Sequence, residues 1–208
     1  MKNVDNGDRF GILLSKRKFE IPGKPRLLGT DGTVEILKNQ PTINHGDFLK
    51  ISYKWRIRMK LVYTNGTNPD FVMLCGQLDE YLFELVGGEK QRKQYSPYNT
   101  LEDIHDVVLA YENDRPVACA SFKFHDTGTA EVKRVFLREE YRGKGLSKQL
   151  MTELENQAKK KGHSKLILET GEQLPAAIAF YKKIGYSVIA NYGQYQNMKE
   201  SVCMQKDI

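Results

Sequence analysis

A strand end, a short glycine-rich loop and the start of a helix follow one another in Val135-Phe136-Leu137-Arg138-Glu139-Glu140-Tyr141-Arg142-Gly143-Lys144-Gly145-Leu146-Ser147. The opening amides of a helix have no partner within it, and the aligned peptide dipoles add positive potential there. Gly143 and Gly145 let the backbone approach a ligand closely, and Arg142 and Lys144 add charge. The chemistry implied is an anion cradle suited to a phosphate or pyrophosphate. It is not a Walker loop, which needs a glycine five residues before its Gly-Lys pair and Ser or Thr directly after. Those positions hold Arg138 and Gly145. Nor is it the Gly-x-Gly-x-x-Gly of dinucleotide folds, since Lys148 stands at the third glycine. Read alone, Arg142–Gly145 is equally a tight, solvated strand-to-helix turn.

The elements that would position this loop can be read on either side of it. Val107–Tyr111, Val117–Phe124 and Ala130–Leu137 read as strands separated by Asn113-Asp114 and Asp126-Thr127-Gly128 turns. Leu146, Leu150, Met151, Leu154 and Ala158 mark an amphipathic helix that stops at Lys159-Lys160-Lys161-Gly162. Lys165–Glu169 reads as a buried strand, and Pro175 opens a helix with Ala177, Phe180, Tyr181 and Ile184 on one face. Ser187–Ala190 and Ser201–Met204 are two last short strands. Upstream, Asn68-Pro69 offers a cap and a first-turn proline to a helix carrying Phe71, Leu74, Cys75, Leu78, Leu82 and Leu85, ended by Gly87-Gly88. Thr100, with Asp103 three residues on, is expected to cap a short helical turn.

The first part of the chain has a different character. Residues 1–65 carry 13 Lys/Arg against 6 Asp/Glu, whereas residues 66–208 carry 19 against 20. A hairpin is expected about Asp31-Gly32. From Lys50 to Tyr63 the alternation is strict, with Ile51, Tyr53, Trp55, Ile57, Met59, Leu61 and Tyr63 opposite Lys50, Lys54, Arg56, Arg58 and Lys60. Two units are therefore expected: a basic, β-leaning extension over 1–58 and a domain over 59–208. The three cysteines are odd in number and far apart, which predicts neither a disulfide framework nor a metal site. No apolar run could span a membrane and no signal peptide is recognised, so a cytoplasmic location is expected.

A second motif, Ala177-Ile178-Ala179-Phe180-Tyr181-Lys182-Lys183-Ile184-Gly185-Tyr186, follows the loop at a distance that makes the pair diagnostic. Together with Tyr141–Ser147 it resembles the GCN5-related N-acetyltransferase (GNAT) superfamily. The phrases Glu131-Val132-Lys133-Arg134, Glu169-Thr170-Gly171 and Asn191-Tyr192-Gly193-Gln194-Tyr195 resemble those of its small bacterial members. The resemblance covers Met59 to Ile208 and implies an α/β (α+β) fold, a mixed, mostly antiparallel sheet flanked by helices. It also implies acetyl-CoA as donor and direct transfer of the acetyl group to a primary amine of a small-molecule or amino-acid-like acceptor.

Residue by residue, the resemblance implies that main-chain groups of Val135, Phe136 and Leu137 pair with the pantetheine arm as an added strand would. Arg142, Gly143, Lys144, Gly145, Leu146 and Ser147 would hold the pyrophosphate. Ser147 stands where Gly or Ala is usual, and Leu174 stands where Asn or Gln often contacts the cofactor, with Gln173 beside it. Tyr181 would stand near the sulfur and protonate the leaving thiolate. Glu131 is the first choice of base for the incoming amine and Glu169 the second, each being alternatively a solvated or salt-bridged carboxylate. The acceptor pocket would be built from Tyr95, Tyr98 and Asn99 facing Tyr192 and Tyr195, with Glu169. The last hairpin could pair two subunits as a homodimer. Two other classes compete: a non-catalytic acyl-CoA-binding regulator on the same fold, and a nucleic-acid-binding module using the basic face of Lys50–Lys60. In the latter the alternation turns Tyr53 and Trp55 away from the charges, so a solvated strand face is preferred.

Overall fold

The computed structural model describes residues 59–85 and 99–208, together with the backbone of Val34–Ile36. Asn68 caps the first helix as its sequence predicts: its Oδ1 accepts the amides of Asp70 (2.9 Å) and Phe71 (3.4 Å) ahead of a helix that starts at Pro69. That helix, α1 (Pro69–Leu85), buries Phe71, Leu74 and Cys75. The expected apolar stripe is buried only over its first turns; Leu85 is 49% exposed. Thr100 does not begin a helix. Residues 101–103 form a turn instead, closed by the Ile104 amide donating to the Leu101 carbonyl at 3.1 Å.

Among the described residues, eight strands make one sheet in the order β1-β2-β3-β4-β5-β6-β8-β7. They are β1 (Val34–Ile36), β2 (Met59–Thr64), β3 (Asp106–Glu112), β4 (Arg115–Asp126), β5 (Thr129–Leu137), β6 (Lys165–Gly171), β7 (Ser187–Val188) and β8 (Ser201–Asp207). Every pairing is antiparallel except β5–β6, which is parallel and bridged by α2 (Leu146–Lys160). A parallel pair needs such a crossover, so the longest amphipathic pattern after β5 falls where topology requires a helix. In β2, Met59 and Leu61 are buried and Lys60 is exposed, as the alternation predicts. The rest of the Lys50–Tyr63 alternation, the Asp31-Gly32 turn and Gly87-Gly88 lie outside the described residues. β1 pairs with β2, so a three-residue piece of the basic extension joins the same sheet.

The two faces of the sheet carry different layers. On one face, Ala118, Ala120, Phe122, Ala130, Val132, Leu166 and Leu168 pack against Leu150, Met151 and Leu154 of α2 and Tyr181 of α3 (Pro175–Lys183). On the other, Val107, Leu109, Cys119 and Phe136 pack against Phe71, Leu74 and Cys75 of α1. The three cysteines are free and buried, consistent with packing roles. Among the described residues no helix is long and apolar enough to cross a membrane.

Two irregularities in β5 open the sheet and bend this strand. Its register with β6 stops at Glu131↔Ile167, yet β5 continues to Leu137 and β6 to Gly171. The strands therefore part, leaving a gap between them. Against β4, Lys133 pairs with Ser121 and Phe136 with Cys119, so Arg134 and Val135 together oppose Ala120. This is a β-bulge, and Arg134 takes a left-handed φ of 53° there. The bulge is held from β4, where Ser121 Oγ donates to the Lys133 carbonyl (2.8 Å) and Cys119 Sγ to the Arg134 carbonyl (3.3 Å).

Candidate active site

The parting of β5 and β6 opens a cleft of about 810 Å³. Val132, Lys133, Arg134 and Val135 line it from β5, Leu168 to Gly171 from β6, Leu78, Asp79 and Tyr81 to Phe83 from α1, and Leu174 to Ala177 with Tyr181 from the start of α3. Beyond Glu131, the peptide groups of β5 that face β6 have no strand partner among the described residues. An exposed strand edge of this kind accepts an extended ligand as one more strand.

The glycine loop lies between the end of β5 and the start of α2. Gly143 and Gly145 have φ of 71° and 82°, conformations that an L side chain resists, and a Cβ at either would meet nothing within 4 Å. Both glycines are thus required by the turn and not by crowding, which leaves open space in front of the loop. The amides that open α2 receive no side-chain cap, and its first turn contains no acidic residue, unlike the Asp70-bearing first turn of α1. An uncapped helix start with Lys148 in place of a carboxylate favours an external anion. Arg142 is held at the cleft mouth: its Nε donates to the Leu137 carbonyl (3.2 Å) and its guanidinium stacks 4.4 Å from the Tyr81 ring, which itself lines the cleft. These features fit the diphosphate and extended arm of a coenzyme A.

Tyr181 is 8% exposed, its ring set between Phe180 and Tyr186 at centroid distances of 5.4 and 5.6 Å. Its hydroxyl has no hydrogen-bond partner among the described residues. Burial, and then the charge of Glu169, raise its phenol above the ordinary value, so it stays protonated through the neutral range. Glu169 lines the cleft with it. Ser201 Oγ donates to Glu169 Oε1 at 2.6 Å, and burial raises this carboxyl above its ordinary value despite that bond and the nearby Lys133.

Glu131 has a different setting from the one its sequence position suggests. It is 2% exposed and does not line the cleft. Its Oε1 accepts the hydroxyls of Tyr192 and Tyr195, both at 3.2 Å, and Lys133 and Lys123 lie 3.7 and 3.9 Å from its oxygens. Burial first, and Glu131 second, raise both tyrosines, which keeps them donors. Glu131, Tyr192 and Tyr195 therefore form a buried network behind the cleft and do not line it. Asn99 does line it, and its carbonyl accepts from the Arg134 guanidinium, whose other arm pairs with Asp79 of α1. Tyr95 and Tyr98 lie outside the described residues. Of the β5 residues expected to face the donor, Val135 lines the cleft. Phe136 and Leu137 are paired to β4 and their side chains are in the two cores.

Several cleft residues had no singled-out role in the sequence: Leu78, Asp79 and Tyr81 of α1, and Lys133 and Arg134 of the bulge. The first three sit on an ordinary amphipathic pattern. The last two stand inside the Glu131–Arg134 phrase, where the charged pair following an apolar residue was the available signal.

Comparison with known proteins agrees with this geometry. The profile of the acetyltransferase (GNAT) family matches residues 76–186. The IAA acetyltransferase of Azospirillum brasilense is 30% identical over 138 residues, covering 66% of this chain and 90% of that protein. Two solved structures share the fold: the PaiA N-acetyltransferase of Thermoplasma acidophilum in complex with coenzyme A, and an acetyltransferase of Streptococcus agalactiae. The first is 22% identical with a TM-score of 0.56, covering 71% of this chain and 99% of that one. The second is 19% identical with a TM-score of 0.56, covering 72% and 98%. With an uncapped helix start, a strand edge left free where β5 and β6 part and a profile match over more than half its length, this chain belongs to the acetyltransferase (GNAT) family.

Proposed function

We propose that the chain transfers the acetyl group of acetyl-CoA directly to a primary amine of a small-molecule or amino-acid-like acceptor, with Tyr181 as proton donor and Glu169 as proton acceptor. Use of acetyl-CoA by an N-acetyltransferase follows from the family. The acceptor class and the residue roles are our reading. The observation that carries it is the cleft between β5 and β6, which brings Val135, Tyr181 and Glu169 together, with Arg142 of the glycine loop stacked on Tyr81 of its wall.

Acetyl-CoA supplies an activated thioester. Everything else falls to the chain. Arg142 to Ser147 supply backbone amides and charge to the diphosphate. The free edge of β5 at Val135 receives the arm as a strand would. An amine is mostly protonated at neutral pH and must lose a proton to become a nucleophile. Glu169 suits that role because it lines the cleft, has one oxygen engaged by Ser201, and carries a raised proton affinity from burial. Glu131 does not, because two tyrosine hydroxyls already occupy Oε1. Tyr181 then gives its hydroxyl proton to the departing sulfur, a transfer that a phenol held in its neutral form can make.

The test is release of free thiol from acetyl-CoA across a panel of amines, with Tyr181→Phe and Glu169→Gln in parallel. Amine-dependent release that both substitutions slow by about a hundredfold or more supports the reading. Coenzyme A binding without turnover for any amine would favour the regulator class instead.

A further inference from the structure

Lys133 is a buried and only partly paired charge at the cleft. It is 9% exposed, and of the three N–H groups on its ammonium one donates to the Tyr195 hydroxyl at 3.0 Å. The nearest carboxylate oxygen among the described residues is Glu131 Oε1 at 3.7 Å, and that atom already takes two tyrosine hydroxyls. The next residue, Arg134, is also buried, with its side chain 6% exposed and, among the described residues, its Nε without a partner. Burying an ammonium or a guanidinium with donors unfilled is costly, so such groups are normally paired. Burial accordingly pulls Lys133 below its ordinary pKa, against the opposing effect of Glu131.

The position of Lys133 bears on the acceptor. Continuing the parallel register two residues past Glu131↔Ile167 sets Lys133 on β5 across the opening from Glu169 on β6. Both residues line the cleft that holds Tyr181. A basic group on one wall and an acidic group on the other match a molecule that carries an amine and a carboxylate close together. A simple amine would leave the Lys133 donors unfilled.

Resting on the acetyltransferase reading above, we propose that Lys133 receives a carboxylate of the acceptor, so that the acceptor is a free amino acid or a related amino-carboxylate with its amine toward Glu169. Tyr195 and Glu131 serve as positioning residues: the hydroxyl holds Nζ, and the carboxylate balances its charge from behind. Arg134 adds positive potential on the same wall, while Asp79 and the Asn99 carbonyl fix its guanidinium.

The experiment compares free α-amino acids with their own α-carboxamides as acceptors, using aromatic, aliphatic, acidic and basic side chains, for the full chain and for Lys133→Gln and Lys133→Arg. The amide keeps the amine and removes only the charge that Lys133 would read. The expected result is a kcat/KM at least about tenfold higher for the acid than for its amide in at least one pair. Lys133→Gln abolishes that preference through KM, and Lys133→Arg retains part of it. Coenzyme A titrations on each variant show that the donor site is intact. Amides used as well as acids, a preference that survives Lys133→Gln, or turnover of simple amines alone would overturn the proposal while leaving the acetyltransferase reading standing. Coenzyme A binding with no acid or amide acetylated would overturn it too. Absence of coenzyme A binding would instead remove the reading beneath it.

Discussion

Replacing Tyr181 with Phe removes one oxygen from a buried ring, and the structure separates what that does to stability from what it does to rate. The ring keeps its contacts with Phe180 and Tyr186 and its place beside α2 and the sheet. The hydroxyl has no hydrogen-bond partner among the described residues, so its loss leaves no donor or acceptor stranded. A deletion of that kind changes folding stability by about 0.5 kcal/mol or less. For a domain of this size, that is a melting shift of about 2 °C. The rate should respond very differently. A positioned general acid contributes about 10²–10⁴-fold, equivalent to roughly 3–5.5 kcal/mol of barrier. The assay is thiol release at saturating acetyl-CoA, with coenzyme A affinity by calorimetry and melting by scanning calorimetry on the same preparation. We expect kcat to fall at least a hundredfold while affinity and melting temperature stay nearly fixed. A variant that keeps its kcat within threefold would refute the role given to Tyr181. A variant that loses rate and melts many degrees lower would show that the hydroxyl holds the fold and not the proton.

Three other substitutions test neighbouring parts. Gly145→Ala forces an L side chain into a φ of 82°, costing about 1–2 kcal/mol of strain without any clash, since a Cβ there meets nothing within 4 Å. Coenzyme A affinity should fall more than stability does, as read by calorimetry and melting; equal affinity would remove the loop from donor binding. Glu131→Ala strips two tyrosine hydroxyls of their shared acceptor and the buried Lys133 of its nearest counter-charge, and should cost about 3–5 kcal/mol in denaturant unfolding. Glu169→Gln should do the reverse, losing activity and not stability. Burial raises the folded pKa of Glu169, so the ionised carboxylate is held at a cost that is present above that pKa and vanishes as the pH falls through it. The Gln variant should therefore be at least as stable as the native chain near pH 8, with the difference closing toward acid. In the native chain the acid limb of kcat/KM should lie above the ordinary carboxylate range, and the Gln variant should lose that limb.

Much of the scaffold could be read from local chemistry. Asn68 and Pro69 mark the start of α1, Gly143 and Gly145 mark the turn into α2, and Pro175 marks the start of α3, because caps, left-handed turns and helix-opening prolines are decided by a few adjacent residues. The apolar stripe of α1 misled beyond its first turns. Its later residues, Leu78 and Leu82, turn toward the cleft, and a cleft-lining residue has the same spacing as a core residue. The features that could not be read depended on pairing across the sheet. Nothing in Lys133-Arg134-Val135 announces that two residues oppose Ala120, or that the β5–β6 register ends at Glu131. Those two facts decide that Lys133 lines the cleft and that Glu131 is buried behind it. A preference for Glu131 as base follows naturally from its place at the head of β5. What that place does not announce is that Tyr192 and Tyr195, some sixty residues later, fold back onto one of its oxygens.

Titration of the full chain with coenzyme A by isothermal calorimetry bears most directly on the donor site. An uncapped helix start together with an unpaired strand edge predicts a one-to-one isotherm that saturates well below about 1 mM and weakens with Gly145→Ala. A flat trace at millimolar ligand, or an isotherm that Gly145→Ala leaves unchanged, would contradict it.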